Sequence, residues 1–250
     1  MRYPFDGKVA IVTGGASGIG KETAIQFARS GARVMIADMN AGQGDAAVAE
    51  IASFGGSAKF CKTDVADSSQ VQNLIAQTVA AFGRLDFAFN NAGVNDVMKD
   101  EWDEAVFARA ISVNLTGVML CMRFEIEQML KQNDGGAIVN TASVAAEEGQ
   151  MGQVAYTASK AGIVGMTLTI ARDLSSEAIR INTILPGIFE TPLMLALPEK
   201  AREVLNATVP FPKRMGRPAE YAALALCMIE NSYFNGEDVR LDGAIRMPPK

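Results

Sequence analysis

The stretch VAIVTGGASGIGKETAIQFARSGARVMIAD, residues 9–38, decides the fold. It opens on an apolar, partly β-branched run, Val9 to Thr13, of the kind that fills a strand buried on both faces. Glycines at 14, 18 and 20 follow at once. From 19 to 30 the apolar positions Ile19, Ala24, Phe27 and Ala28 then recur at helical spacing. Gly31 ends that helix, and 33–37 reads as a second strand. Between strand and helix the glycine turn is shaped for an anionic ligand. Gly14 permits the tight turn, Gly18 lets a pyrophosphate reach the backbone, and Gly20 lets helix and strand pack closely. Ser17 and Ile19 complete the turn, where free N–H groups and the positive end of the helix dipole face the phosphates.

Working outward, the pattern repeats. Helices are expected near 41–54 and 68–82, and strands at 58–62 and 86–89. A long helix near 103–131, a strand at 137–141, a helix near 153–176 and a strand at 180–184 follow. After an irregular segment come a helix at 218–231 and a last strand near 239–241. Strands alternating with crossover helices give an α/β fold: a doubly wound, mainly parallel sheet of seven strands with helices on both faces. With no linker or repeat in view, residues 1–250 read as one dinucleotide-binding and catalytic domain. The segment 188–217, with Pro192, Pro198, Pro210 and Pro212, sits beyond a strand C-terminus, where a substrate lid is expected.

Composition narrows the chemistry. A net charge of −5 argues against a nucleic-acid partner. No apolar run approaches the ~18 residues of a membrane span. The motif-bearing strand starts so early that no targeting peptide is expected, which makes a cytoplasmic protein the default. The chain has no histidine, which removes imidazole as base, relay or metal ligand. Cys61, Cys121 and Cys227 are widely spaced, so neither a zinc site nor a disulfide framework is expected, and no metal is called. Any catalysis must run on Tyr, Lys, Ser, Asn, carboxylates and a cofactor.

Asp38 ends the second strand, where a carboxylate can accept bonds from both adenosine ribose hydroxyls and repel a 2′-phosphate. Neither Gly15 nor Met39 supplies a cation there, which favours NAD(H) over NADP(H). Asp64 and Val65 end the third strand; they face an adenine or simply finish the strand. Asn90, Asn91, Ala92 and Gly93 end the fourth with small residues that let a cofactor approach the backbone, or form an ordinary Asn/Gly turn. Tyr156 and Lys160 lie four apart on one helix face. An ammonium beside a phenol favours the phenolate and fits it for proton transfer, although such a pair also arises by chance on solvated faces. The absence of histidine and the serine-bearing strand end at 140–143 weigh toward chemistry.

TGGASGIG at 13–20, NNAG at 90–93, Asn114 within VNLTG, Ser143, the YxxxK of Tyr156 and Lys160, and Pro186-Gly187 with Thr191 together resemble the short-chain dehydrogenase/reductase family. The likeness spans essentially the whole chain and implies a Rossmann-type fold binding NAD and a small-molecule substrate. It implies that Tyr156 is the acid/base and that Ser143 polarises the substrate oxygen. Lys160 would bind the nicotinamide ribose and lower the tyrosine pKa, and Asn114 would position a water linking Lys160 to solvent. Thr191 and the backbone near Ile188 would hold the carboxamide. Helices near 103–131 and 153–176 carry surplus apolar residues, among them Ile163, Val164, Met166, Leu168 and Ile170. These are buried within the subunit or, as the family's usual state implies, between subunits of a homotetramer. A non-catalytic NAD-binding scaffold is disfavoured because Asn114, Ser143, Tyr156 and Lys160 are all present.

The segments at 140–174, 197–200, 209–222 and 240–248 resemble the type-2 3-hydroxyacyl-CoA dehydrogenase branch. That implies Gln150 near the substrate carbonyl and Phe189 lining the cofactor pocket. Within 188–217 five cations (Lys200, Arg202, Lys213, Arg214, Arg217) face three carboxylates (Glu190, Glu199, Glu203), a local charge that suits a CoA phosphate or is merely a solvated face. The chain departs from the branch in a short stretch between Gly93 and Asn114, and in Glu147 and Glu190, which stand where Phe and Gly are expected. A 3-oxoacyl-thioester reductase, a sugar or secondary alcohol dehydrogenase and a hydroxysteroid dehydrogenase are the alternatives.

Overall fold

A computed structural model describes residues 3–95 and 102–247. Seven strands form one sheet: β1 (Val9–Thr13), β2 (Arg33–Asp38), β3 (Ser57–Lys62), β4 (Phe87–Asn90), β5 (Gly136–Thr141), β6 (Ile179–Pro186) and β7 (Asp238–Leu241). Their order is β3-β2-β1-β4-β5-β6-β7, and every neighbouring pair is parallel. The expected mainly parallel sheet is thus wholly parallel. The chain reverses its direction of travel across the sheet between β1 and β4, and such a switch opens a crevice at the C-terminal strand ends.

Alternation along the strands assigns the two faces. Ala10, Val12, Val34, Ile36 and Phe89 point to one side. There they meet α1 (Gly18–Arg29), α2 (Ala41–Ser53) and, in the second half, α9 (Pro218–Glu230). Val9, Ile11, Met35 and Ala88 point to the other, against α3 (Ser68–Phe82), α5 (Gly117–Gln132) and α6 (Val154–Asp173). The strands are apolar on both faces because both faces are covered. Fully burying side chains such as Phe27, Ile36 or Leu74 contributes about 1.5–3 kcal/mol each. Asp67 caps α3 through its side chain and Gly83 ends it in the left-handed conformation.

The long helix expected near 103–131 is interrupted. α4 (Glu104–Ile111) passes into a π-turn at Ser112–Thr116 before α5 begins. The extra residue rotates Asn114 into the interior, where it is fully buried. By length and composition the helical stretch Glu104–Gln132 also passes for a membrane span, an 18-residue window of it having a mean hydropathy of 1.6. Its sheet-facing residues Val118, Cys121, Met122 and Met129 lie in the core, while Phe107, Met119 and Leu130 are exposed. The segment after β6 is only partly irregular. It contains α7 (Pro192–Leu195) and α8 (Glu199–Thr208), and an isolated bridge from Phe189 to Gly216 closes its base. Part of the short stretch between Gly93 and Asn114 lies outside the described residues.

Candidate active site

The glycine turn is built as the sequence indicates. Gly14 and Gly18 take φ of 63° and 54°, the left-handed region that glycine enters without strain. A Cβ on Gly20 would sit 2.1 Å from the Gly14 carbonyl oxygen, so this crossing of helix and turn admits no side chain. The Ser17 hydroxyl makes no capping bond to α1. Beside the turn lies a cleft of about 280 Å³, lined by six residues read as cofactor-binding: Gly14, Asp38, Asp64, Val65, Ala92 and Gly93. Ala37, Met39, Thr63, Val94, Arg109 and Val113 complete it. Motif adjacency could have found Val94 and Val113, which flank NNAG and Asn114. Arg109 had no signal in the sequence, since a cation on α4 reaches the cleft only through the tertiary fold.

Asp38 stands at the lip of this cleft. Its two carboxylate oxygens accept from Ala16 N at 3.2 Å and Asn40 N at 3.0 Å, which fixes their direction. A carboxylate has about four lone-pair sites, so capacity for two hydroxyl donors is left. A glycine turn at a helix N-terminus, an oriented carboxylate and a cleft at the switch point fit a nicotinamide dinucleotide.

The NNAG segment acts differently from its reading. Asn90 is 1% exposed, and its amide donates to Glu125 Oε2 at 3.0 Å and Asn140 Oδ1 at 3.1 Å. Strand alternation turns its side chain into the core beneath the cleft, so it organises the cofactor turn from below. Asn91 bonds the turn itself, donating from its side chain to the carbonyls of Thr13 and Gly14 at 3.4 Å each. Asn91 N and Ala92 N donate to the Thr13 hydroxyl at 3.0 and 3.2 Å.

At the chemical end, β5 delivers Ser143 and α6 delivers Tyr156 and Lys160. Ser143 begins a short 3-10 turn, its hydroxyl accepting from Ala145 N at 3.1 Å. The Ser143 hydroxyl also hydrogen-bonds the Tyr156 phenol. Lys160 is 3% exposed; its ammonium donates to the Thr141 carbonyl at 2.8 Å and lies 5.7 Å from the Tyr156 ring centroid. Burial pushes the Tyr156 phenol above its ordinary value, and only the Ser143 bond opposes this. The expected lowering by Lys160 is therefore not found, because that ammonium is turned onto Thr141 and is itself pushed down to about 8 by burial. Asn114 Oδ1 accepts from Val94 N at 2.7 Å, and its amide donates to Val94 O at 2.8 Å and Ser159 Oγ at 3.3 Å. The π-turn thus clamps the residue following NNAG to the catalytic helix.

Two predictions arise here. A Cβ on Gly93 would lie 3.1 Å from Asn114 Oδ1, a tight approach, and 3.6 Å from Lys160 Nζ, an ordinary contact, so Gly93→Ala presses on the Asn114 clamp beside the lysine. Turnover should fall roughly fivefold, while local overpacking of about 1 kcal/mol should lower the melting temperature by only about 2–4 °C. Initial rates beside a thermal melt check this. Ketone reduction, in which a charged Lys160 would hold the nicotinamide ribose, should weaken as pH rises and Lys160 neutralises near about 8. A pH profile of reductive kcat that stays level to pH ~10 would contradict it.

Around this centre, Gln150 lies partly buried in the loop between Ser143 and α6. Thr191 and Pro192 lie within 4 Å of where a Gly18 Cβ would point, which brings the start of α7 against the phosphate turn. Ile188 gives its carbonyl to Gly216 N at 2.9 Å, and Pro186 pairs with Leu241. A side chain on Gly187 would strike Asp242. Phe189 is 5% exposed and packs edge-on against Tyr221 at 5.6 Å; it is not part of the lining beside the glycine turn but borders a second recess with Ile188, Val209 and Gly216. The lid is also less basic than its count suggests, because Arg214 is held by Glu220 in two bonds of 2.6 and 2.9 Å. Glu147 is bonded by Arg240 at 2.6 Å, and Glu148 by Arg240 and Arg246, which ties the loop after Ser143 to the C-terminal strand.

Comparison with known proteins agrees with this geometry. The family described as short chain dehydrogenase matches residues 8–202. The rat protein named 3-hydroxyacyl-CoA dehydrogenase type-2 is 45% identical over 256 residues, covering 97% of each chain. A 3-oxoacyl-(acyl-carrier-protein) reductase of Thermotoga maritima is 38% identical over 96% of this chain and 98% of its own. Among solved structures, a 7α-hydroxysteroid dehydrogenase complexed with NADH and 7-oxo glycochenodeoxycholic acid superposes with a TM-score of 0.93. It is 30% identical and covers 100% of this chain and 98% of its own.

Proposed function

The chain belongs to the short-chain dehydrogenase family, and from that premise we propose that it interconverts 3-hydroxyacyl-CoA and 3-oxoacyl-CoA with NAD(H). As a member it is an oxidoreductase acting on CH–OH groups. The observation that carries the substrate reading is the 45% identity to 3-hydroxyacyl-CoA dehydrogenase type-2 across 97% of both chains.

The dinucleotide, when bound, accepts or supplies the hydride. Gly14, Gly18 and the start of α1 hold its phosphates, Asp38 its adenosine ribose, and Lys160 its other ribose. In oxidation Ser143 orients the substrate hydroxyl, and Tyr156 takes the hydroxyl proton. In reduction Tyr156 returns that proton to the carbonyl oxygen. The buried surroundings strengthen each of these interactions. Asp38 sets the preference for NAD(H), although Arg109 adds one cation to the cleft. Residues 188–217 cover the substrate, with Lys200, Lys213 and Arg217 available to the CoA phosphates. Exposed Phe107, Met119 and Leu130, with Leu168 on α6, support a homotetramer. Three free thiols support a reducing, cytoplasmic setting.

Oxidation of 3-hydroxybutyryl-CoA beside free 3-hydroxybutyrate tests the substrate class. A clear preference in kcat/KM for the thioester is expected; equal use would sink the acyl-CoA reading and leave the family chemistry standing. A hydroxysteroid is the second reading, favoured by the structural likeness to a dehydrogenase of that class.

A further inference from the structure

Beneath the cofactor turn lies a carboxyl group that the reaction does not use. Glu125 is fully buried on the sheet-facing side of α5. Its Oε2 accepts from the Asn90 amide at 3.0 Å, and the same amide donates to Asn140 Oδ1 at 3.1 Å. Asn140 in turn donates to Met122 Sδ at 3.2 Å. Two oxygens of this node, Glu125 Oε1 and Asn90 Oδ1, are buried without a partner. Among the described residues, the elements packed most closely against α5 offer no compensating charge. α3 reads SSQVQNLIAQTVAAF, β4 FAFN, β5 GAIVNT and the π-turn SVNLT, none of which contains a charged residue. From α5 itself the one titratable neighbour is Cys121, whose thiol is pushed well up by its own burial and by Glu125. Arg123 is exposed and paired with Glu127.

An isolated buried carboxylate with a single donor is strongly disfavoured. Protonation removes the charge and turns one orphaned acceptor into a donor. We propose that Glu125 is a positioning residue that works as the neutral acid: it locks Asn90, and Asn90 fastens the 90–93 cofactor turn to β5, the strand that leads to Ser143. Burial pushes the carboxyl up to about 7, close enough to neutrality for the lock to be lost in mildly alkaline solution. Ionisation would leave the charge facing Asn90 Oδ1 and the Cys121 thiol with nothing to pair it, and α5 would have to give way. NADH affinity is therefore linked to one buried proton. This rests on the dinucleotide reading of the cleft but not on the substrate.

The test is NADH titration by fluorescence, without substrate, from about pH 6 to about pH 8.5. In the native protein the Kd should rise about fivefold or more across this range, a modest coupling between linked sites. In Glu125→Gln, which keeps the shape and the acceptor but cannot ionise, the Kd at about pH 6 should match the native value and the added weakening should vanish. Identical pH dependence in the two proteins overturns the proposal, as does a variant already weak at about pH 6. If the variant fails to fold, infrared spectra of the native protein read the same group. A buried carboxylic-acid band should disappear as pH rises, with its midpoint moved upward by NADH, as reciprocity requires. Absence of that band, or a midpoint indifferent to NADH, also overturns it. No NADH binding at any pH would instead refute the reading of the cleft.

Discussion

Tyr156→Phe should lower turnover by about 10²–10⁴-fold, the contribution of a positioned proton-transfer group, while leaving the Kd for NADH within about twofold of native. The phenol lies against the Ser143 hydroxyl, and the chain has no histidine to stand in for it. Loss of the hydroxyl leaves the ring and its packing, so the fold and the cleft persist. The residual rate would come from orientation alone. Initial rates together with an NADH titration separate the two effects. A variant retaining a tenth or more of native turnover would show that another group moves the proton.

Asp38→Ala should cut the preference for NAD over NADP by about 10–100-fold. Two effects add. The variant loses hydrogen bonds from the ribose hydroxyls to a charged acceptor, a contribution of about 1.5–3 kcal/mol. It also loses a carboxylate that repels a 2′-phosphate. Ratios of kcat/KM for the two cofactors measure this, and an unchanged ratio would mean that the ribose is held elsewhere.

The fold was legible because one periodicity served two purposes. Strands such as Val9–Thr13, apolar through Val12, announced burial on both faces, and the glycines after them announced a tight turn into a helix. The helix expected at 68–82 runs from Ser68 to Phe82, between the Asp67 cap and Gly83. The π-turn at Ser112–Thr116 was not legible, since one extra residue in a helix leaves no trace in hydrophobic spacing. In the site, residues defined by backbone shape or by a shared helix face came together as read: Gly14, Gly18, Asp38, Tyr156 and Lys160. Those defined by side-chain direction did not. Asn90 and Phe189 stand beside the cleft in sequence yet turn into the core, because strand alternation and the packing of Tyr221 decide where they point. Glu125 escaped notice for a related reason. Nothing in the spacing of α5 sets it apart from the exposed pair Arg123 and Glu127, and only the packing of α5 shows its burial.

The most direct test of the account is oxidation of NADH by acetoacetyl-CoA, measured beside free acetoacetate and a 7-ketosteroid at matched concentrations near neutral pH. The account predicts rapid oxidation with acetoacetyl-CoA, little with acetoacetate, and loss of the signal in Tyr156→Phe. Oxidation supported by the small free ketone or the steroid, with acetoacetyl-CoA inert, would contradict it.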